Sequence, residues 1–164
     1  MTTTLTASEE RNLARILDAR CALSLGVVDM VVHDLRDEQV ARLRAVAEAA
    51  VPNPATADGV MDLSELTDTV VPFNEVLIGL AENHLLLDML RSLKISAAFR
   101  QVLPDVGAVD IHAAWSEGRL HIVEGLEARD RDATAEAVRA YHADIKRRFF
   151  DRHSAHPVDE QTTP

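Results

Sequence analysis

Four polar residues occupy places where helical periodicity calls for apolar ones: Arg20, Asn74, Arg119 and His142. Arg20 interrupts the series Leu13, Ile16, Leu23, Val27, whose alternating steps of three and four define one face of a helix. Arg119 stands in line with Trp115, Ile122 and Leu126. His142 stands with Ala135, Val138, Ile145 and Phe149. Asn74 shares a line with Val70, Leu77 and Ala81 inside the apolar run "VPFNEVLIGLAENHLLLDMLRSL" at 71–93. An inward guanidinium can grip a carboxylate with two parallel N–H donors. An inward amide or imidazole can hydrogen-bond the same group.

Each position also has a plainer explanation. An arginine on such a face can reach past the bundle edge or pair with a carboxylate for stability. A single inward histidine is more often a hydrogen-bonded core residue than a ligand-binding one. Asparagine is a poor helix former and can be held by local backbone bonds. Four such residues on four separate segments point instead to a polar pocket between helices. Two of them are cations with no inward acid assigned to them, so the expected ligand is a small anionic metabolite. His121 lies about 200° around the helix from Arg119, so the two cannot both face one pocket.

Positioning these residues requires helices, and the chain reads as one helix after another. Thr6 and Glu9 form a capping box that opens a long segment ending near His33, with Leu13, Ile16, Leu23, Val27 and Met30 on its apolar face. Asp37 caps a second segment carrying Val40, Leu43 and Val46. The stretch "VPNPATADGV" at 51–60 has two prolines and a glycine and reads as a loop. Asp62 and Glu65 form another capping box, opening a segment to about Glu82 in which Pro72 either kinks the helix or starts a new one. Asn83 punctuates next, before a helix running on to a stop at Pro104. A helix over about 109–128, a tight link "RDRD" at 129–132 and a last helix over about 133–152 follow. The expected fold is an all-α antiparallel bundle of six or seven helices, with a flexible segment 1–9, a single domain over 10–152 and a disordered tail over 153–164.

Composition narrows the function classes. Apolar residues make up 47% of the 164, enough for one core, but only 4% are aromatic, which suits a helical bundle better than a sheet. A formal net charge of −10, from 27 acidic and 17 basic residues, repels phosphate backbones. Direct nucleic-acid binding by this chain is therefore not expected. The single cysteine, Cys21, excludes an internal disulfide and a cysteine-based zinc site. With no signal peptide and no membrane-length apolar run, a cytoplasmic location is expected.

The stretch "FNEVLIGLAENHLLLDMLRSLK" resembles the Phe-His-x-x-(Leu/Ile)-x-x-Ala-x-x-Asn-x-x-Leu motif of the FadR C-terminal, or FCD, domain. That is the effector-binding domain of GntR-family transcription regulators. "HIVEGLEARDRDATAEAVRAYHADI" resembles that family's closing helix pair, and "LDARCALSLGVVDMVVHDLRDEQVARLRAVAEA" its opening pair. The similarity covers roughly residues 10–150, and it lies more in the order and spacing of loose motifs than in any one of them. The resemblance implies a bundle of six or seven helices around a central cavity, homodimerisation, and in many members a zinc or nickel ion that helps bind an organic acid.

The family's ligand set carries over unevenly. Its aspartate falls on Val70, its first histidine on Asn74, its second on Arg119, and only the last matches, as His142. The glutamate that often follows the first-helix arginine is Ser24. No metal or other cofactor is therefore expected; a second alignment would leave Asn74, His121 and His142 as a thin metal site without a carboxylate. The expected ligand contacts are Arg20 and Arg119 on the anion, with Asn74 and His142 hydrogen-bonding it. Such regulators carry a winged helix-turn-helix of about 60–70 residues ahead of this domain, and fewer than about ten residues precede the first helix here. The sequence thus reads as a ligand-sensing, dimerising domain without its own DNA-binding module. The alternative is a stand-alone protein that acts on a small carboxylic acid, with His142 as general acid or base. No nucleophile supports that alternative, and no enzymatic activity is assigned.

Overall fold

A computed structural model describes residues 6–49, 72–94 and 108–150. Among these residues there are six helical stretches and no strand, in agreement with the all-α expectation. They are α1 (Ala7–Val31), α2 (Asp37–Ala49), α3 (72–79), α4 (His84–Ser92), α5 (Ala108–Glu127) and α6 (Arg131–Phe150).

Three of the helix starts follow from capping chemistry. Asp37, expected to cap α2, is instead its first helical residue, and the carbonyl of Arg36 before it accepts from the Val40 N–H at 3.3 Å. Thr6 accepts a bond from the Glu9 N–H at 3.3 Å while its own N–H donates to Glu9 Oε2 at 2.8 Å, so the capping box at the head of α1 is formed. Asn83 caps α4 by accepting from the Leu85 N–H at 3.0 Å. Asp130 does the same for α6, accepting from the Ala133 N–H at 2.9 Å. That cap draws Arg131 and Asp132 into the last helix, two residues earlier than the sequence suggests, and shortens the link to 128–130. The helix expected to run on to Pro104 instead ends at Ser92, where Lys94 turns into the left-handed region at φ 47°. The proline stop itself, the loop at 51–60, the Asp62/Glu65 box, Val70 and the tail at 153–164 lie outside the described residues.

Packing is carried by the expected stripes with some rotation. In α1 the buried residues are Leu13, Leu17, Arg20, Ser24, Val27 and Val28, while Ile16 and Leu23 lie at the margin of the core. Met30, which the spacing turns inward, is 57% exposed. The reason is that a 25-residue straight helix drifts relative to a fixed three-four repeat, so the face pointing inward at Leu13 no longer does at Met30. The α5 stripe Trp115, Arg119, Ile122, Leu126 is buried throughout. Helix α5 packs on α6 as an antiparallel hairpin, α2 lies against α5, and α1 against α6 and α4.

The α5–α6 hairpin is unusually close at Gly125. A β-carbon placed there would stand 2.5 Å from Thr134 Oγ1 and 2.9 Å from Thr134 Cα. Peripheral ion pairs set the register of neighbouring helices. Arg44 holds Glu127 with two bonds, at 2.6 and 2.7 Å, tying α2 to α5. Lys146 reaches Asp18 at 2.7 Å, tying α6 to α1. Such exposed pairs contribute about 0–1 kcal/mol each, so they orient more than they stabilise.

Candidate functional site

The four inward polar residues of the sequence reading are all buried. Arg20 is 4% exposed, Asn74 3%, Arg119 1% and His142 4%. They come from α1, α3, α5 and α6, and Arg119 and His142 are linked through one residue that the sequence reading missed. Tyr141, buried on α6, accepts a hydrogen bond from Arg119 Nε at 3.3 Å. Its ring meets that of His142 edge-on, with centroids 5.2 Å apart. Its charge environment is shared with Arg20. Tyr141 was hidden because the stripe through Ala135 and Phe149 selects His142, whereas the buried face of α6 is wide enough to take both neighbours. Its being the chain's sole tyrosine was the available signal.

The residues on either side of Asn74 in sequence bear on the two arginines. Phe73, fully buried, lies under the Arg119 guanidinium, whose carbon is 5.6 Å from the ring centroid. Glu75, on the other side, shares an electrostatic interaction with Arg20. His121 is exposed and lines an outer cleft with Glu124 and Glu136, so the fold does not bring it to the buried Asn74 and His142. None of the four inward residues lines that cleft, nor the two bounded by Arg36 and Arg91 and by Leu23 and Met89.

The electrostatics of the cluster are set by desolvation. Burial pushes Arg20 down to about 10, partly offset by Tyr141 and Glu75. Burial likewise lowers His142 to about 4, helped by the Arg20 charge and opposed by Asp18. His142 is thus neutral at pH 7. Among the described residues, Arg119 Nη2 and His142 Nδ1 are buried without a hydrogen-bond partner, and neither Arg20 nor Arg119 forms an ion pair. The near carboxylate, Glu75, is taken by Arg91. Two buried guanidinium groups without an ion pair among the described residues are costly in a low-dielectric interior, and an incoming anion would relieve that cost.

The donor set is ill matched to a metal ion. A guanidinium stands where the resemblance puts a ligating imidazole, offers no lone pair and repels a cation. An amide stands at another ligand position. Among the described residues no three His, Cys, Asp or Glu side chains are grouped to share a metal.

The described residues thus form an all-α bundle that buries polar side chains on four of its helices. More specifically, the FCD domain family matches residues 15–144, from α1 into α6, and the chain belongs to that family. No curated protein and no solved structure matched the chain. Among the described residues no helix is long and apolar enough to cross a membrane.

Proposed function

We propose that this domain is the ligand-sensing, dimerising part of a GntR-type regulatory system, working in the cytoplasm and responding to a small organic acid without a metal ion. Arg20 and Arg119 bind the carboxylate, and Asn74 and His142 hydrogen-bond it. The observation that carries the reading is Arg119: almost wholly buried, without an ion pair among the described residues, and with Nη2 unsatisfied. A guanidinium kept in that condition is explained by an anion that completes its hydrogen bonds. His142, held neutral, is suited to accept or donate one bond to the ligand and is a weak base at neutral pH, which ranks the enzymatic alternative second.

Thermal unfolding against a panel of small carboxylic acids tests the reading. At least one acid should raise the melting temperature in proportion to the logarithm of its concentration, and Arg119→Gln should abolish the response. Elemental analysis of the purified protein should find zinc and nickel well below one ion per chain. A stoichiometric, tightly held metal, or a panel in which no acid shifts the transition, overturns it.

A further inference from the structure

Two exposed arginines of this chain show how a guanidinium takes a carboxylate side-on. Arg44 grips Glu127 through Nε and Nη2 at 2.6 and 2.7 Å, and Arg91 grips Glu75 through the same two atoms at 2.8 and 3.3 Å. The two N–H groups on that edge are parallel, and their spacing matches the two oxygens of one carboxylate. At the buried Arg119 the same edge is half used. Nε donates to the Tyr141 hydroxyl oxygen at 3.3 Å, while Nη2 is buried with no hydrogen-bond partner among the described residues. The phenol oxygen thus takes the place of one carboxylate oxygen, and Nη2 is the prong left on that edge for a ligand.

Both side chains are held in place. The buried Phe73 ring lies under the guanidinium, 5.6 Å from its centroid to the guanidinium carbon, so an aromatic face covers one side of Arg119 and its donors point outward along the edges. Tyr141 is 4% exposed, and its ring meets that of His142 edge-on at 5.2 Å. A tyrosine hydroxyl accepts through its oxygen and also carries one hydrogen to donate. With Arg119 Nε–H directed at the oxygen, that hydrogen points elsewhere, and no hydrogen bond among the described residues uses it. A buried donor is costly to leave unmet.

An oxygen placed on Nη2–H would lie beside the phenol oxygen, at about the 2.5–2.7 Å of an O–H···O⁻ hydrogen bond. One ligand oxygen would then satisfy both orphan donors. Accepting from a guanidinium also polarises the phenol O–H and strengthens it as a donor.

We propose that Tyr141 is a further ligand-binding residue of the anion site: its hydroxyl, oriented by Arg119 Nε, donates to the same ligand oxygen that Arg119 Nη2 binds. On this edge the carboxylate is held by one oxygen and two donors, not by the two-pronged grip of Arg44 and Arg91. The assignment rests on the carboxylate-binding reading given above. The competing place for a carboxylate is the end of the guanidinium, between Nη1 and Nη2, where it would leave the phenol untouched.

Tyr141 is the sole tyrosine and Trp115 the sole tryptophan, and Trp115 lies one turn from Arg119 on α5, so each gives a single signal from the cluster. Acetate, oxalate and citrate serve as probes of the full wild-type chain and of Tyr141→Phe, which keeps the ring and removes only the hydroxyl. With Trp115 fluorescence as readout, Y141F should bind a probe roughly tenfold more weakly than wild type, as expected for losing a hydrogen bond to a charged group. Unchanged affinity puts the ligand at the end of the guanidinium, and tighter binding makes the hydroxyl its competitor for Nε; either result overturns the assignment. The second measurement needs no substitution. Wild type labelled with carbon-13 at the tyrosine Cζ is followed by nuclear magnetic resonance as probe is added. Donation to a charged oxygen should shift the single Cζ resonance along the same saturation curve as the fluorescence. A resonance that stays in place at saturation removes Tyr141 from the site and leaves the carboxylate reading standing. Wild type that binds none of the probes overturns that reading, and the role of Tyr141 falls with it.

Discussion

His142 makes the stability of this domain depend on pH in a calculable direction. Burial first, and the Arg20 charge second, hold its imidazole neutral down to about pH 4, against a value of 6.5 when exposed. Between those values the unfolded chain binds a proton that the folded chain does not, so unfolding is favoured as pH falls. The contribution is fully present above about 6.5, is lost progressively toward 4, and amounts to about 3 kcal/mol over the window. Chemical denaturation at pH 7.5 and 5.0 should show a loss that His142→Gln removes in large part. An unchanged pH slope in that variant would mean that another group carries it. The same desolvation explains the Arg20 pKa of about 10, and the Arg20 charge adds to the lowering at His142.

At the scale of elements, the α5–α6 hairpin depends on a close approach at one glycine, and α1 carries a glycine that does not. The β-carbon of Gly125→Ala would meet the Thr134 backbone nitrogen at 3.0 Å and its Cα at 2.9 Å, atoms that cannot give without moving α6. Gly26 in α1 has nothing within 4 Å of where its β-carbon would stand. Helix propensity alone favours alanine at both sites by about 1 kcal/mol. Gly26→Ala should therefore raise stability by about that amount, whereas Gly125→Ala should lower it by about 1–3 kcal/mol, because overpacking outweighs propensity. Urea unfolding of both variants checks the contrast. If Gly125→Ala also stabilises, the hairpin is looser than its geometry indicates.

At the scale of the whole molecule, a net charge of −10 sets the conditions for self-association. Family resemblance gives the expectation of a homodimer, and each copy brings the same negative charge to the interface. Screening that repulsion should tighten association, so the dimer dissociation constant should fall as salt rises from roughly 0.01 to 0.15 M, where the screening length shortens from about 30 to 8 Å. Sedimentation equilibrium should show a species of twice 18.0 kDa that is more populated at the higher salt. A chain that remains monomeric across that range refutes the dimer.

Periodicity and local motifs in the chain were enough to place the all-α class, the Thr6–Glu9 capping box and the inward direction of Arg20, Asn74, Arg119 and His142. Those properties are local: periodicity names the face of a helix, and a Thr6–Glu9 or Asn83 cap is closed within a few residues. Family membership was legible for the same reason, since the order of such local patterns runs from α1 to α6. Which inward residues meet is a matter of packing between helices. Tyr141 joining Arg119 to His142, Arg91 reaching Glu75, His121 facing outward and Met30 drifting out of the core all depend on how far each helix is rotated and how closely its neighbours approach. Those quantities are settled by packing between segments distant in sequence, such as Gly125 against Thr134, and no single stripe contains them.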